Sequence, residues 1–249
     1  MRTICPPQGG FLLLGLALLA GIVGGICAPW DQPLSEFFRV HGLPGDLRKA
    51  VELSEVFAHG LGAAAILGSV WLLAPEKRPS LKIAILITVV SGVTANLLKS
   101  GFVRMRPYAS HLRVIDSPDS AANESSLLNE SSSSGKSSTW GQEVSAKESS
   151  PDSGLIAESF WDARQRSFPS GHAATAWGLM LGLTYVFPRG GWLFAVFASL
   201  ASIQRLESGA HYPTDILAGF TIAMLVGAAV YLCLLPRAEP SQIRLRDGI

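Results

Sequence analysis

Ser167-Phe168-Pro169-Ser170-Gly171-His172-Ala173-Ala174 joins the most polar part of the chain to an apolar run that continues to residue 187. Pro-Ser-Gly is a typical turn at the start of a helix. The hydroxyl of Ser170 and the backbone N–H of Gly171 can together offer hydrogen bonds to an anion at the helix N-terminus. His172 follows at once, and a histidine exchanges protons near neutral pH. The stretch therefore predicts a helix that begins at a polar surface with a reactive side chain in its first turn.

The composition of the whole chain indicates an integral membrane protein. Of its 249 residues, 48% are hydrophobic and only 16% are charged, whereas a soluble domain carries about 25% charged residues. The formal net charge of +1 argues against a nucleic acid as partner, because nucleic-acid-binding domains are usually strongly basic. Three cysteines at positions 5, 27 and 233 match neither the spacing of a zinc site nor a disulfide framework.

Six apolar runs are candidate membrane spans, and we place them at residues 11–28, 54–74, 83–102, 171–187, 191–206 and 213–235. An even number of spans puts both termini on one side of the membrane. Basic residues such as Lys77, Arg78, Arg189 and Arg237 fall on that same side, which the positive-inside rule makes cytoplasmic. The predicted fold is an all-α integral membrane protein with six transmembrane helices in a bundle. It forms one multi-pass domain, residues 1–249, in the plasma or inner membrane.

Residues 115–155 differ from the rest of the chain, because they are rich in Ser, Glu, Asp and Asn and poor in aromatic residues. Such a segment cannot bury enough apolar surface to offset the conformational entropy that ordering removes. We therefore predict a long disordered Ser-rich loop between spans 3 and 4. This loop connects the end of span 3 to the start of span 4 on the extracytoplasmic face.

Lys99 and Arg106 are the first pair of candidate site residues outside the opening stretch. They lie seven residues apart, or nearly two helical turns, so we expect them on the same face of the third helix. Pro107 then ends that helix. Two cations suit a dianionic phosphoryl group, and arginine adds a planar fork of donors. Long basic side chains also lie at membrane borders for purely structural reasons, which is the alternative interpretation.

Arg205, His211 and Asp215 form the last group, at the end of span 5 and the start of span 6. Pro213 favours the first turn of the last helix, which places Asp215 inside that turn. A carboxylate four residues after a histidine can hydrogen-bond to the ring, fix its tautomer and increase its nucleophilicity. Asp215 can also stabilise the helix N-terminus by its charge alone. The six-span topology brings this group to the same membrane face as His172, Lys99 and Arg106.

The three groups resemble the ordered motifs of the type-2 phosphatidic acid phosphatase superfamily. The matching patterns are Lys99-x6-Arg106-Pro107, Pro169-Ser170-Gly171-His172 and Arg205-x5-His211-x3-Asp215. The resemblance covers about residues 95–237, which would be the catalytic core. Two features depart from the family pattern. Gln204 stands where the family usually has Ser before the arginine, and the Ser-rich insertion is unusual.

The resemblance implies a membrane lipid phosphatase that acts on the extracytoplasmic face through a phosphohistidine intermediate. In that mechanism His211 attacks phosphorus, Asp215 orients His211, and His172 protonates the leaving group and then activates water. The implied phosphate ligands are Lys99, Arg106, Ser170, Gly171 and Arg205. No metal or cofactor is implied. The implied substrates are phosphomonoesters or diphosphates of lipids: phosphatidic acid, phosphatidylglycerol phosphate, polyprenyl diphosphate or a lipid A phosphate.

Two other functions fit parts of the pattern. A non-catalytic protein that binds or transports a lipid phosphate would need the cations but not the histidines. A vanadate-dependent haloperoxidase has a similar pocket, but those relatives are soluble, whereas this chain consists mainly of spans. Glu52, Glu55 and His59 lie on one stripe near the outer end of the second span. We interpret Glu55 and His59 as a pair that is satisfied inside the bundle, with a contact of His59 to the lipid head group as the alternative.

Overall fold

The computed structural model describes residues 6–108 and 166–234, which fold as helices without a β-strand. The predicted Ser-rich loop at 115–155 lies outside the described residues. We number the described helices in chain order: α1 Pro6–Cys27, α2 Asp31–His41, α3 Gly45–Leu53, α4 Glu55–Ala58, α5 Gly60–Leu73, α6 Arg78–Lys99, α7 Gly171–Val186, α8 Gly191–Glu207 and α9 Pro213–Cys233.

The helices include several that are long and apolar enough to cross a membrane. Within the described ranges, three segments qualify alone: Gln8–Phe38, Pro75–Lys99 and Pro213–Cys233. A fourth candidate consists of Gly45–Ala58 and Gly60–Leu73 taken together, which meet at a bend of 71°. The all-helical membrane character predicted from composition is therefore confirmed. Helices α7 and α8 are apolar but contain only 16 and 17 residues.

The second predicted span, 54–74, is not one straight helix. His59 has an extended backbone conformation between α4 and α5, and its ring Nδ1 accepts a hydrogen bond from the N–H of Leu61 at 3.3 Å. The chain turns so sharply here that a Cβ on Gly62 would lie 1.9 Å from the carbonyl oxygen of Val56. Only a glycine permits this approach, and α4, which precedes the bend, packs against α7 and α8.

Helix α7 is the centre of the bundle and packs against α6, α8 and α9. More than half of its buried positions are glycine or alanine, so neighbouring helices approach closely. The closest approach involves α9, where a Cβ on Gly219 would lie 2.5 Å from the carbonyl oxygen of Ser170. Helix α1 packs on the other side of α9. This packing fixes the start of α7 directly beside the start of α9.

Backbone hydrogen bonds join the loops at this end of the bundle. The N–H of Ser167 donates to the carbonyl of Arg104 at 2.9 Å, which connects the segment after α6 to the segment before α7. The N–H of Ser170 donates to the carbonyl of Asp215 at 3.0 Å. The N–H of Tyr108 donates to the carbonyl of Gly209 at 3.2 Å. All three sequence motifs are thus held at one end of the molecule.

Candidate active site

The predicted site residues meet where α6 and α8 end and where α7 and α9 begin. The ionisable members of this cluster lie close enough to interact electrostatically: Lys99, Arg106, His172, Arg205, His211 and Asp215. They come from four helix ends and the loops next to them, at positions up to 116 residues apart in the sequence (99 to 215). The structure therefore brings together the cations and histidines that the sequence analysis selected.

Ser170 and Gly171 form the start of α7 as expected. Ser170 is the N-cap residue, and its Oγ accepts a hydrogen bond from the N–H of Ala173 at 3.3 Å. The hydroxyl keeps its own proton, so it can still donate to an anion. Asn96 of α6 packs against Gly171, where a Cβ would lie 3.0 Å from Oδ1 of Asn96. His172 follows with its ring centre 6.1 Å from that of His59.

The buried pair His211 and Asp215 has the relative position that the sequence spacing predicts. Nδ1 of His211 lies 3.5 Å from Oδ2 of Asp215, and this buried nitrogen has no hydrogen-bond partner within bonding geometry among the described residues. Catalytic hydrogen bonds are often long before substrate binds and shorten in the complex. The same oxygen accepts hydrogen bonds from the hydroxyl of Ser167 and, at 2.8 Å, from the N–H of Tyr212. Asp215 is therefore held in place beside the histidine ring.

Arg104 is a site residue that the sequence analysis did not select. Its Nη1 donates to Oδ1 of Asp215 at 2.6 Å and to Oγ1 of Thr214 at 2.8 Å, and its Nη2 donates to Asp31 at 2.5 Å. The guanidinium also lies 4.2 Å from the ring centre of Tyr212. Burial lowers the pKa of Arg104, but the hydrogen bonds and charges of the two aspartates outweigh burial and raise it overall. Arg104 stays charged and anchors Asp215.

Two of the residues that hold Asp215 stand close in sequence to residues that the sequence analysis selected. Arg104 stands two residues before Arg106, and Ser167 begins the stretch that leads to His172. Asp31, in contrast, carries no local signal. It lies 73 residues before Arg104 and packs against Thr214, whose N–H donates to Asp31 at 3.1 Å. Asp31 is buried at the start of α2, near the membrane border. No rule about local spacing predicts its pairing with Arg104.

Arg106 reaches the site from a loop. Helix α6 ends at Lys99, so the prediction that Lys99 and Arg106 share one helical face is wrong. Residues 100–106 leave the helix, and Arg104 pairs in bridge geometry with Arg166. Nε of Arg106 is buried and has no hydrogen-bond partner among the described residues. A buried guanidinium nitrogen without a partner is costly unless a bound anion accepts its hydrogen bond.

The side chain of Arg205, at the end of α8, contacts two side chains among the described residues. Its Nη2 donates to Oε1 of Glu55 at 2.6 Å, and its Nε donates to the side-chain oxygen of Gln204. The expected pairing of Glu55 with His59 is absent, because Glu55 contacts α8 and His59 caps α5. Gln204, the position that departs from the family pattern, therefore contacts Arg205 directly.

The pH dependence of stability should reveal the environment of His211. Burial lowers the pKa of His211, the neighbouring Asp215 carboxylate opposes this, and the charge of Lys99 lowers the pKa further, so that it lies below its ordinary value. The unfolded chain then binds the proton more readily. The stability that this histidine contributes is full above about pH 6.5 and is lost as the pH falls from there, by at most about 1.4 kcal/mol per pH unit.

We therefore expect the unfolding temperature of the wild-type protein in detergent to fall more steeply between pH 6.5 and 5 than that of His211→Gln. Gln cannot titrate, and its amide can still occupy the space between Asp215 and the cations. The other histidines are common to both proteins, so their contributions cancel in the comparison. Parallel pH profiles for the two proteins would contradict the lowered pKa of His211.

Comparison with known proteins gives a consistent result. The sequence profile of the PAP2 superfamily matches residues 79–239, more than half of the chain. Undecaprenyl-diphosphatase BcrC of Bacillus subtilis is 31% identical over 65 residues, covering 26% of this chain and 34% of BcrC. A lipid A 1-phosphatase of Rhizobium etli is 37% identical over 68 residues, covering 26% of this chain and 29% of that protein. The matched segment spans about a third of the length of these relatives.

A solved structure resembles the bundle as a whole. The crystal structure of Aquifex aeolicus LpxE aligns with a TM-score of 0.50 over 82% of this chain and 94% of that chain. Sequence identity in this alignment is 16%, so the likeness concerns the fold. The bundle that brings the four helix ends together is therefore an arrangement found in a solved protein.

Proposed function

This chain belongs to the PAP2 superfamily, and we propose that it is a membrane phosphatase that hydrolyses a phosphomonoester or diphosphate of a lipid. The observation that carries the proposal is the cluster of two histidines, one buried carboxylate and three cations at one end of an apolar bundle. Phosphate binding alone would require the cations only. Two relatives are named for phosphatase activity on undecaprenyl diphosphate and on lipid A, which supports the same class of substrate.

In the proposed mechanism His211 is the nucleophile. Its ring nitrogen forms a bond to phosphorus while the bond from phosphorus to the leaving oxygen breaks, and His172 gives its proton to that oxygen. The negative charge of the bound phosphoryl group stabilises the protonated form of His172 beforehand. Water then attacks the phosphohistidine, His172 takes a proton from that water, and inorganic phosphate leaves as the nitrogen–phosphorus bond breaks.

The charge that develops on the equatorial phosphoryl oxygens requires fixed cations. We assign this role to Lys99, Arg106 and Arg205, assisted by the Ser170 hydroxyl and the N–H of Gly171 at the start of α7. The unpartnered Nε of Arg106 supplies a hydrogen bond without first breaking another. Three cations give the charge that magnesium supplies to other phosphoryl-transfer enzymes, so the proposed reaction requires no metal.

An apolar cavity beside the site supports a lipid as the substrate. It lies between α5 and α6, has a volume of about 460 Å³, and is lined by residues such as Gly60, Leu67, Trp71 and Val93. Asn96 lines its outer end and also contacts Gly171, so the cavity begins next to the phosphate site. We propose that it holds a hydrocarbon chain of the substrate, because its size is typical of ligand sites and its walls are apolar.

We propose six transmembrane spans, with α7 and α8 as the fourth and fifth. A helix of 16 residues extends about 24 Å, and the flanking aromatic residues Phe168 and Phe187 can extend the apolar length. Lys77, Arg78 and Arg189 lie at the opposite end of the bundle from the histidines. The positive-inside rule then puts that end and both termini in the cytoplasm, and the active site on the extracytoplasmic face.

The proposal is tested by phosphate release from a panel of lipid phosphates in vesicles that contain the wild-type protein. We expect release from at least one lipid monophosphate or diphosphate, and we expect the rate to be unchanged by a divalent-metal chelator. Transfer of a lipid phosphate between leaflets without phosphate release would instead support a transport protein. Vanadate-dependent oxidation of iodide would support the haloperoxidase alternative. Either of the last two results without hydrolysis would overturn the proposal.

A further inference from the structure

Glu55 contacts Arg205, one of the three cations of the proposed phosphate site. Its Oε1 lies 2.6 Å from Nη2 of Arg205, and its Oε2 accepts a hydrogen bond from the amide of Gln204 at 3.4 Å. The amide oxygen of Gln204 in turn accepts from Nε of Arg205. Two of the three guanidinium nitrogens are thus bonded to other side chains of the protein.

This arrangement interferes with a two-pronged contact between Arg205 and a phosphoryl group. Two parallel N–H···O bonds from a guanidinium use either Nε with Nη2 or Nη1 with Nη2. Both pairs include Nη2, the nitrogen that Glu55 holds. Nη2 carries two hydrogens, so a phosphoryl group can use the hydrogen that Glu55 leaves open. Its oxygens then lie beside a carboxylate of the same charge, unless the phosphoryl group displaces that carboxylate.

Glu55 is the more exposed partner of this ion pair. Its side chain is 39% exposed, whereas that of Arg205 is 11% exposed. Glu55 begins the four-residue helix α4, which lies between the break after Ser54 and the bend at His59. The carboxylate can rotate into solvent without moving the bundle, while the guanidinium remains in the site.

We propose that Glu55 is a displaceable counter-ion that competes with the phosphoryl group for Arg205. The competition weakens binding of every phosphate anion at the site, including the inorganic phosphate that the reaction releases. A site with three cations would otherwise retain that product. The inference rests on the proposed function, in which Arg205 binds the phosphoryl group, and it assigns to Glu55 the role of limiting product affinity.

A purely supporting role for Glu55 predicts the opposite effect. If the carboxylate only held Arg205 in its productive orientation, its loss would weaken phosphate binding. Competition instead predicts that the loss of its charge strengthens phosphate binding. The sign of the change therefore separates the two roles.

The test compares Glu55→Gln with the wild-type protein in detergent. Gln keeps the shape of Glu and can still accept a hydrogen bond from Nη2, but it carries no charge. We expect the inhibition constants of inorganic phosphate and orthovanadate to fall by about two- to fivefold. Glu52→Gln is the matched control, because Glu52 lies one turn away, is exposed and pairs with Arg48 at 3.0 Å. That control should leave both constants unchanged.

A measurement of phosphate binding by the shift in unfolding temperature tests the same inference without depending on turnover. The rise in unfolding temperature with inorganic phosphate should be larger for Glu55→Gln than for the wild-type protein, whichever lipid is the substrate. Glu55→Asp provides a second variant that keeps the charge, and its phosphate affinity should stay close to that of the wild-type protein. Equal or weaker phosphate binding by Glu55→Gln would overturn the inference. Tighter binding in a protein that hydrolyses no lipid would overturn only the proposed function.

Discussion

An alanine in place of His211 is expected to reduce kcat for the lipid phosphate by about 10⁴- to 10⁶-fold. The alanine protein lacks the atom that bonds to phosphorus, and no other histidine of the described residues occupies its position. His211 is buried, and its ring lies beside Asp215, which is itself held by Arg104, Ser167 and the backbone of Tyr212. The residual activity would come from the cations and the helix N-terminus, which still bind and polarise the phosphoryl group.

Chemical trapping separates a nucleophile from a general base in this experiment. Wild-type protein quenched during turnover of a phosphorus-labelled substrate should carry a label that is labile in acid and stable in base, as expected for phosphohistidine. The His211→Ala protein should carry none. His41→Ala is the control, because His41 is an exposed residue of α2 whose ring contacts the carbonyl oxygen of Phe37 at 3.2 Å. Normal activity of the His211→Ala protein, or a label at another residue, would refute the assignment.

The helices were predictable where a long apolar run decides the structure. The runs predicted at 171–187 and 213–235 correspond to α7 and α9 within two residues at each end. The second span was different, because its bend depends on His59 and on the contact between Gly62 and Val56. A hydropathy pattern detects the apolar stretch but not the local geometry that bends the chain.

The site was predictable as a set of residues, but its internal contacts were not. Lys99 does lie close to Arg106 and Arg205, although a loop rather than a shared helix brings Arg106 to the site. The contacts of Asp31 with Arg104 and of Glu55 with Arg205 join residues 73 and 150 positions apart. Packing of whole helices brings these pairs together, and no rule about local spacing includes them.

Replacement of His172 by alanine is expected to lower kcat for the lipid phosphate by about 10²- to 10⁴-fold, the range typical of one general acid–base residue. The size of the loss should depend on the leaving group. A lipid alkoxide needs a proton as it departs, whereas p-nitrophenolate leaves readily without one. The first step with p-nitrophenyl phosphate should therefore remain nearly normal, and its product should appear as a burst equal to the amount of enzyme.

The burst follows from the second role of His172. Because the same ring must activate water, its loss slows hydrolysis of the intermediate, and phosphohistidine should accumulate on His211. His59→Ala is the matched control, since it removes the neighbouring imidazole, whose centre lies 6.1 Å from that of His172. That variant should show neither a burst nor a dependence on the leaving group. Equal losses for the lipid and for p-nitrophenyl phosphate in His172→Ala would mean that this histidine binds the phosphoryl group without transferring a proton.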